Sequence, residues 1–250
     1  MLSDRFNTYD LEVWTEGKTD WKILKKALQV RGTSSNIKFH EFDANMGDSE
    51  LLRKCKTFAE HENITPMAFV FDHDKHEIVK EVTEKGKIFK SWGNNVYSFA
   101  IPIPEHRSYQ EGLSLEFYFT YSELGTFNKD GRRLFLTSEF LEQSGKHKDN
   151  PKISIGSRGI LRNCTNKEKA KIIDGEVFDE FSNNIALSKS DFADSIANDE
   201  GPFSNFDFSA FDSILEILST IVSITKPSCH VYFPDLDDLI LRFRPKFAHS

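Results

Sequence analysis

Four acidic residues offer the first chemistry in this sequence. Glu16 follows the apolar run LEVWT (11–15), Gly17 makes a turn, and Asp20 falls in the first turn of a helix-like stretch. Further on, MAFVF (67–71) runs straight into D-H-D, which puts Asp72 and Asp74 two residues apart at its end. Should the two runs be neighbouring parallel strands, these carboxylates converge beyond the strands' carboxyl ends, where open α/β sheets bind ligands. Carboxylates packed side by side cannot all stay ionised without a cation. An all-oxygen donor set favours Mg2+ or Mn2+ over zinc.

The same stretch carries a decoy. Gly17-Lys18-Thr19 ends like a phosphate-cradling loop, but that motif needs a second glycine five residues earlier. Glu12 stands there, inside the strand, and Glu16 aims a carboxylate where phosphate would sit, so no P-loop is expected. His73 and His76 form H-x-x-H around the D-x-D, yet no cysteine is near them, and they read as bystanders or substrate contacts. Lys18 and Lys75 flank the carboxylates and suit either a phosphate contact or an ordinary surface. Asp43 and Asp48 read most simply as a strand end and a helix cap.

The elements that must position these groups alternate. The run 11–15 predicts a buried strand, and a helix from Thr19 places Trp21, Leu24, Ala27 and Leu28 on one face before Gly32 stops it. NIKFHEF (36–42) alternates like a second strand, GDSELLRKCKTFAEHE (47–62) has helical spacing, and VYSFAIPI (96–103) predicts a further strand. A helix is expected from near Leu113. Strands alternating with helices imply an α/β fold with a mostly parallel sheet flanked by helices. After about residue 125 the pattern loosens: 126–170 is polar with a short apolar run at 133–141, 174–198 looks helical and acidic, and FDSILEILSTIVSI (211–224) predicts a helix. The tail suggests a strand and a short helix. The division is a core over 1–125 and a basic insertion plus helical C-terminal extension over 126–250, packed on that core.

The totals fit an ordinary globular chain of 250 residues: 38% hydrophobic, 28% charged, 23 phenylalanines and a net charge of −7. That charge argues against nonspecific coating of nucleic acid. It is unevenly spread, with eleven Lys/Arg against five Asp/Glu over 129–171 (net +6) and eleven Asp/Glu against Lys189 alone over 174–216 (net −10). Three dispersed cysteines offer neither a disulfide framework nor a zinc knuckle. With no basic-then-apolar start and no apolar run of about 18–20 residues, the chain reads as cytoplasmic.

TEGKTD followed about fifty residues later by VFDHDKH, each after a strand, resembles a TOPRIM domain, the metal-dependent Rossmann-like fold of topoisomerases, bacterial-type primases and several nucleases. The branch it most resembles is the nuclease domain of the overcoming-lysogenisation-defect (OLD) family. The resemblance covers about residues 8–125. It implies Glu16, Asp20, Asp72 and Asp74 as catalytic and metal-holding residues, with two Mg2+ or Mn2+ ions. In the OLD branch LSLEFYF (113–119) would add Glu116 as a further ligand. ALSKSDFA (186–193) matches the lysine and alanine of a later S-x-x-K-x-x-x-A motif, making Lys189 a catalytic residue; Ala186 stands where the serine should be.

The chain has no room for topoisomerase gate domains and no primase zinc module, so phosphodiester hydrolysis of DNA or RNA, tRNA included, is the expected reaction. The basic stretch, with Arg132, Arg133, Arg158 and Arg162 alongside Lys18, is then expected to grip nucleic acid. Stand-alone proteins of this kind accompany a separate ATPase in bacterial anti-phage defence, which makes an ATPase subunit an implied partner. A second copy of the chain is another candidate partner. The apolar helix at 211–224 suits docking a subunit, and suits a place in the core still better. The alternative is an inactive TOPRIM adaptor that binds nucleic acid or an ATPase.

Overall fold

Alternation along two short apolar runs sets the architecture. In β1 (Leu11–Thr15) and β3 (Met67–Phe71) successive side chains leave opposite faces. Leu11, Val13, Ala68 and Val70 enter one apolar cluster, while Trp14, Phe69 and Phe71 enter another. Both faces of the sheet are therefore covered, as parallel strands generally require. The computed structural model describes residues 9–32, 35–44, 46–107, 112–165 and 170–226.

With β2 (Ile37–Phe39), β4 (Lys90–Gly93) and β5 (Val96–Ala100), these strands form a five-stranded sheet in the order β2-β1-β3-β5-β4. The β1–β2, β1–β3 and β3–β5 pairs are parallel, and only β4 runs antiparallel, against β5. Asn94 and Asn95 turn that hairpin with positive φ, a conformation asparagine tolerates better than most residues. The result is an α/β fold whose mostly parallel sheet is flanked by helices, compatible with a Rossmann-like arrangement.

Three helices follow the strands in the first half: α1 (Asp20–Arg31), α2 (Asp48–Ala59) and α3 (His76–Val82). α1 buries Ile23, Leu24 and Ala27 on the first face and ends at Gly32, whose φ of 66° suits glycine. α2 buries Leu51, Leu52 and Cys55 on the second face. In the second half come α4 (Tyr121–Leu124), α5 (Lys189–Ala197) and α6 (Asp212–Thr225). Phe192 and Ile196 of α5 and Ile214, Leu218 and Ile221 of α6 share one core cluster with Leu11, Val13 and Leu24. The apolar helix at 211–224 is thus used as core.

A smaller apolar cluster stands apart. Phe135, Phe140, Ile155, Leu161, Ile173 and Val177 assemble it from two short antiparallel pairs. These pair β6 (Phe135–Leu136) with β8 (Ile172–Ile173) and β7 (Ser154–Ile155) with β9 (Val177–Phe178).

Two expectations need correction. The stretch 174–198 is helical only over Lys189–Ala197. Before it, Gly175, Glu176 and Ser182 adopt positive φ, and Asp179 accepts from Phe181 N and Asn183 N, so turns and β9 replace helix. The helix expected near Leu113 is a single tight turn, Leu115–Tyr118, followed by the four-residue α4. The tail after residue 226, with Cys229, lies outside the described residues. Among those described, no helix is long and apolar enough to cross a membrane.

The acidic stretch also finds its counterpart. Lys22, Lys26 and Arg31 on α1 pair with Asp194, Asp199 and Asp212. A charge excess that looks like a solvated face in one dimension is therefore half of a helix–helix seam.

Candidate functional site

Neighbouring strands bring distant carboxylates to one rim. β1 and β3 pair in register up to Thr15 opposite Val70, so Glu16 and Asp72 emerge side by side from the same end of the sheet. Gly17 N–H donates to Asp20 Oδ2 at 2.6 Å, and the Thr19 hydroxyl reaches Asp20 Oδ1 at 3.3 Å. A Cβ on residue 17 would come within 2.8 Å of Asp20 Oδ2, so the turn needs glycine for the carboxylate to fold back this way. Thr19 and Asp20 are both buried.

A second tie joins the D-x-D tip to Glu116. His73 and Leu113 exchange backbone hydrogen bonds of 3.0 and 3.3 Å, and the His73 ring faces the Ile101 carbonyl at 3.3 Å. The central histidine of D-H-D is thus structural, and its bridge delivers the chain into the Leu115–Tyr118 turn that carries Glu116. Arg107 clamps that turn. It is buried, donates to the Phe117 carbonyl at 3.0 Å and the Phe119 carbonyl at 2.6 Å, and lies 4.0 Å over the Tyr121 ring. Sequence reasoning missed Arg107, since a lone arginine in a polar loop carries no periodic signal.

Lys189 meets Glu116. Ser188 caps α5 by accepting from Asp191 N, and Lys189 N donates to Asp174. From there Lys189 Nζ donates to Glu116 Oε2 at 3.2 Å and stands 3.1 Å from Oε1 as an ionic contact without hydrogen-bond geometry. Glu116 is only 1% exposed and also accepts from the Ser114 hydroxyl at 2.6 Å. A buried carboxylate without a cation would be costly, so this pair is a condition of the local fold.

The electrostatics follow from burial and crowding. Burial, then Asp74, Asp48 and Asp20, push Glu16 up to about 7. Burial and then Glu116 push Asp20 up to about 6, against the Gly17 N–H, which lowers it. Asp72 is driven well above the usual carboxylate range by burial and then by Asp20, Glu16 and Glu116. Glu116 goes the other way: burial raises it, but Lys189 and Ser114 outweigh that and hold it below its ordinary value. Burial opposes the charge on Lys189, yet Glu116, Asp72 and Asp20 raise its pKa above that of a free lysine. These shifts couple Glu16, Asp20, Asp72 and Glu116, from three separate chain segments, with Lys189 from a fourth.

Asp74 is exposed and belongs to the Glu16 side. There the N–H groups of Met46 and Gly47 donate to the Glu16 carbonyl at 3.2 and 3.3 Å, wrapping the start of α2 around it. Asp48, next in the chain, is buried and ion-paired with Lys75. The reading of Asp48 as a helix cap misses this second place at the rim. Its position after the second strand of a parallel sheet is the signal that points there.

Among the described residues, no three His, Cys, Asp or Glu side chains are arranged to hold a metal ion as they stand. The hydrogen bonds give the reason: Asp20 is folded onto Gly17 N–H, Glu116 onto Lys189 and Ser114, and Asp48 onto Lys75 and Ser49. The donor chemistry nonetheless suits a hard divalent cation, and Glu16 Oε2 is buried with no hydrogen-bond partner.

The basic stretch is largely engaged within its own subdomain. Arg133 pairs with Glu139, which also faces His147 Nε2 at 3.2 Å, and lies 3.8 Å over Phe135. Arg132 stands 3.7 Å from Asp130, Arg158 donates to the Gln143 carbonyl, and Arg162 is exposed. Lys18 is half-buried in the β1–α1 turn. Leu187 N donates to the Arg133 carbonyl at 2.7 Å, so this subdomain braces the segment leading to Lys189. Comparison with family models, curated proteins and solved structures yields no match to the chain.

Proposed function

We propose that the chain is a metal-dependent phosphodiesterase, a TOPRIM-type nuclease of the OLD kind that cuts DNA or RNA with Mg2+ or Mn2+. The observation that supports this reading is the gathering of Asp20, Asp72 and Glu116 around Lys189, with Glu16 beside Asp72 and Asp20, at the carboxyl rim of a parallel sheet. The β2-β1-β3 order, with E-G-x-x-D after β1 and D-x-D after β3, supports the same resemblance.

Glu16, Asp20, Asp72 and Asp74, with Glu116, would hold two ions, and such ions would activate water and neutralise charge on the leaving oxygen. The chain's own groups supply the rest. Glu16, with a pKa near neutrality, is suited to hold or release a proton at its rim. Lys189 keeps its positive charge across the working pH range and stabilises negative charge growing on a phosphate. A separate ATPase partner and a role in anti-phage defence follow from the resemblance and belong to the same proposal.

The test is incubation of the purified chain with supercoiled plasmid, single-stranded RNA and tRNA in Mn2+ and in EDTA, beside Glu16→Ala and Asp72→Ala. Cleavage in Mn2+ only, reduced at least about 100-fold in both variants, is expected. One observation favours the adaptor reading instead: the rim carboxylates are already turned onto internal donors. Absence of cleavage on every substrate, with wild-type nucleic-acid binding in the variants, would select it.

A further inference from the structure

We infer that Lys75 is a tethered counter-ion, its ammonium held by Asp48 against the Glu16 side of the rim and displaced when a divalent cation enters there. This rests on the metal-dependent reading above and adds a regulatory element to it. Three observations carry the inference. Lys75 follows Asp74 directly, and its Nζ is ion-paired with Asp48. Asp48 follows Gly47, whose N–H is bonded to the Glu16 carbonyl, so the pair closes over the first strand's tip. The Lys75 side chain is 58% exposed while that of Asp48 is 9% exposed, so the lysine can swing into solvent and leave the carboxylate behind.

The arrangement parallels Lys189 on Glu116 but differs in depth. Lys189 is 31% exposed against a carboxylate 1% exposed, so it stays. Lys75 sits at the surface and neutralises Asp48, with Glu16 and Asp74 beside it. Without a cation, the Lys75 ammonium offsets carboxylate charge at this corner. With one, the ammonium becomes a like-charge neighbour. Asp48 thereby joins the rim as a carboxylate that Lys75 masks.

The test uses the full chain stripped with EDTA and titrated with Mn2+, free ion being read by electron paramagnetic resonance. Removing one exposed positive charge beside a doubly charged ion in a partly screened setting should tighten Mn2+ binding roughly tenfold in Lys75→Met. Lys75→Arg, which keeps the charge, should bind like wild type. The metal-free Lys75→Met protein should also melt lower than wild type and recover more on adding Mn2+. Mn2+ affinity in Lys75→Met within twofold of wild type, or weaker than it, overturns the inference while leaving the metal-dependent reading standing. No Mn2+ binding by any of the three proteins overturns both.

Discussion

Glu16 should be a residue whose ionisation weakens the metal-free fold, and replacing it should stabilise the protein. Its pKa of about 7 lies above the ordinary 4.5, chiefly through burial and then through Asp74, Asp48 and Asp20. A folded-state pKa raised above the unfolded value means the native state binds the proton more tightly. The stability this contributes is therefore fully present below the unfolded value near 4.5 and is lost as pH rises through about 7. For a half-buried side chain the loss comes to about 2–3 kcal/mol at pH 8 and below about 1 kcal/mol at pH 5. Glu16→Gln keeps the shape and removes the charge, and its amide can turn its oxygen to the buried place of Oε2. Urea unfolding in EDTA at pH 8 should then give a variant more stable than wild type by about 2–3 kcal/mol, a gap that shrinks steadily towards pH 5. Taking the difference between the proteins at each pH cancels the titrations they share. A Glu16→Gln protein less stable than wild type at pH 8, or a gap independent of pH, would refute the electrostatic account of the rim.

Two further outcomes test its construction. Lys189→Met should cost about 2–4 kcal/mol by stranding a buried carboxylate, and adding Glu116→Gln should recover at least about 1 kcal/mol of it. Strict additivity in that cycle, measured by denaturant unfolding, would show that the pair is not coupled. Gly17→Ala should cost only about 1 kcal/mol, because the added Cβ, 2.8 Å from Asp20 Oδ2, can turn the carboxylate aside. It should also change Mn2+ affinity, measured by calorimetry, because it frees Asp20 from the Gly17 N–H; an affinity equal to wild type would remove Asp20 from the cation site.

Much of the rim was legible because strand ends and carboxylates are both local signals. LEVWT and MAFVF announce buried strands, and the acids that close them can only sit at their tips. Lys189 was legible through isolation: a single cation in an acidic run stands out, and the structure puts it on Glu116. The turns of 174–186 were not legible, because Glu176 and Ser182 are not residues that usually take positive φ. Asp48 was read as a cap because an aspartate opening a helix looks the same in sequence whether it caps the helix or faces a neighbouring strand's tip. The basic stretch misled in another way, since its net charge hides partners such as Glu139 for Arg133 and Glu180 for Lys152.

The seam between α1 and the C-terminal helices has a consequence for how the molecule can be divided. Asp20 opens α1, Lys189 opens α5, and α1 is tied to α5 by Lys22 with Asp194 and to the residue just past its C-cap by Lys26 with Asp199. A fragment ending near residue 125 would keep Glu16, Asp20, Asp72 and Glu116 yet forfeit the ammonium that lets Glu116 stay buried. It would also bare the surface of Ile23, Leu24 and Val13 that Phe192, Ile196 and α6 now cover. The acids and the ammonium that answers them thus come from segments that share one apolar cluster.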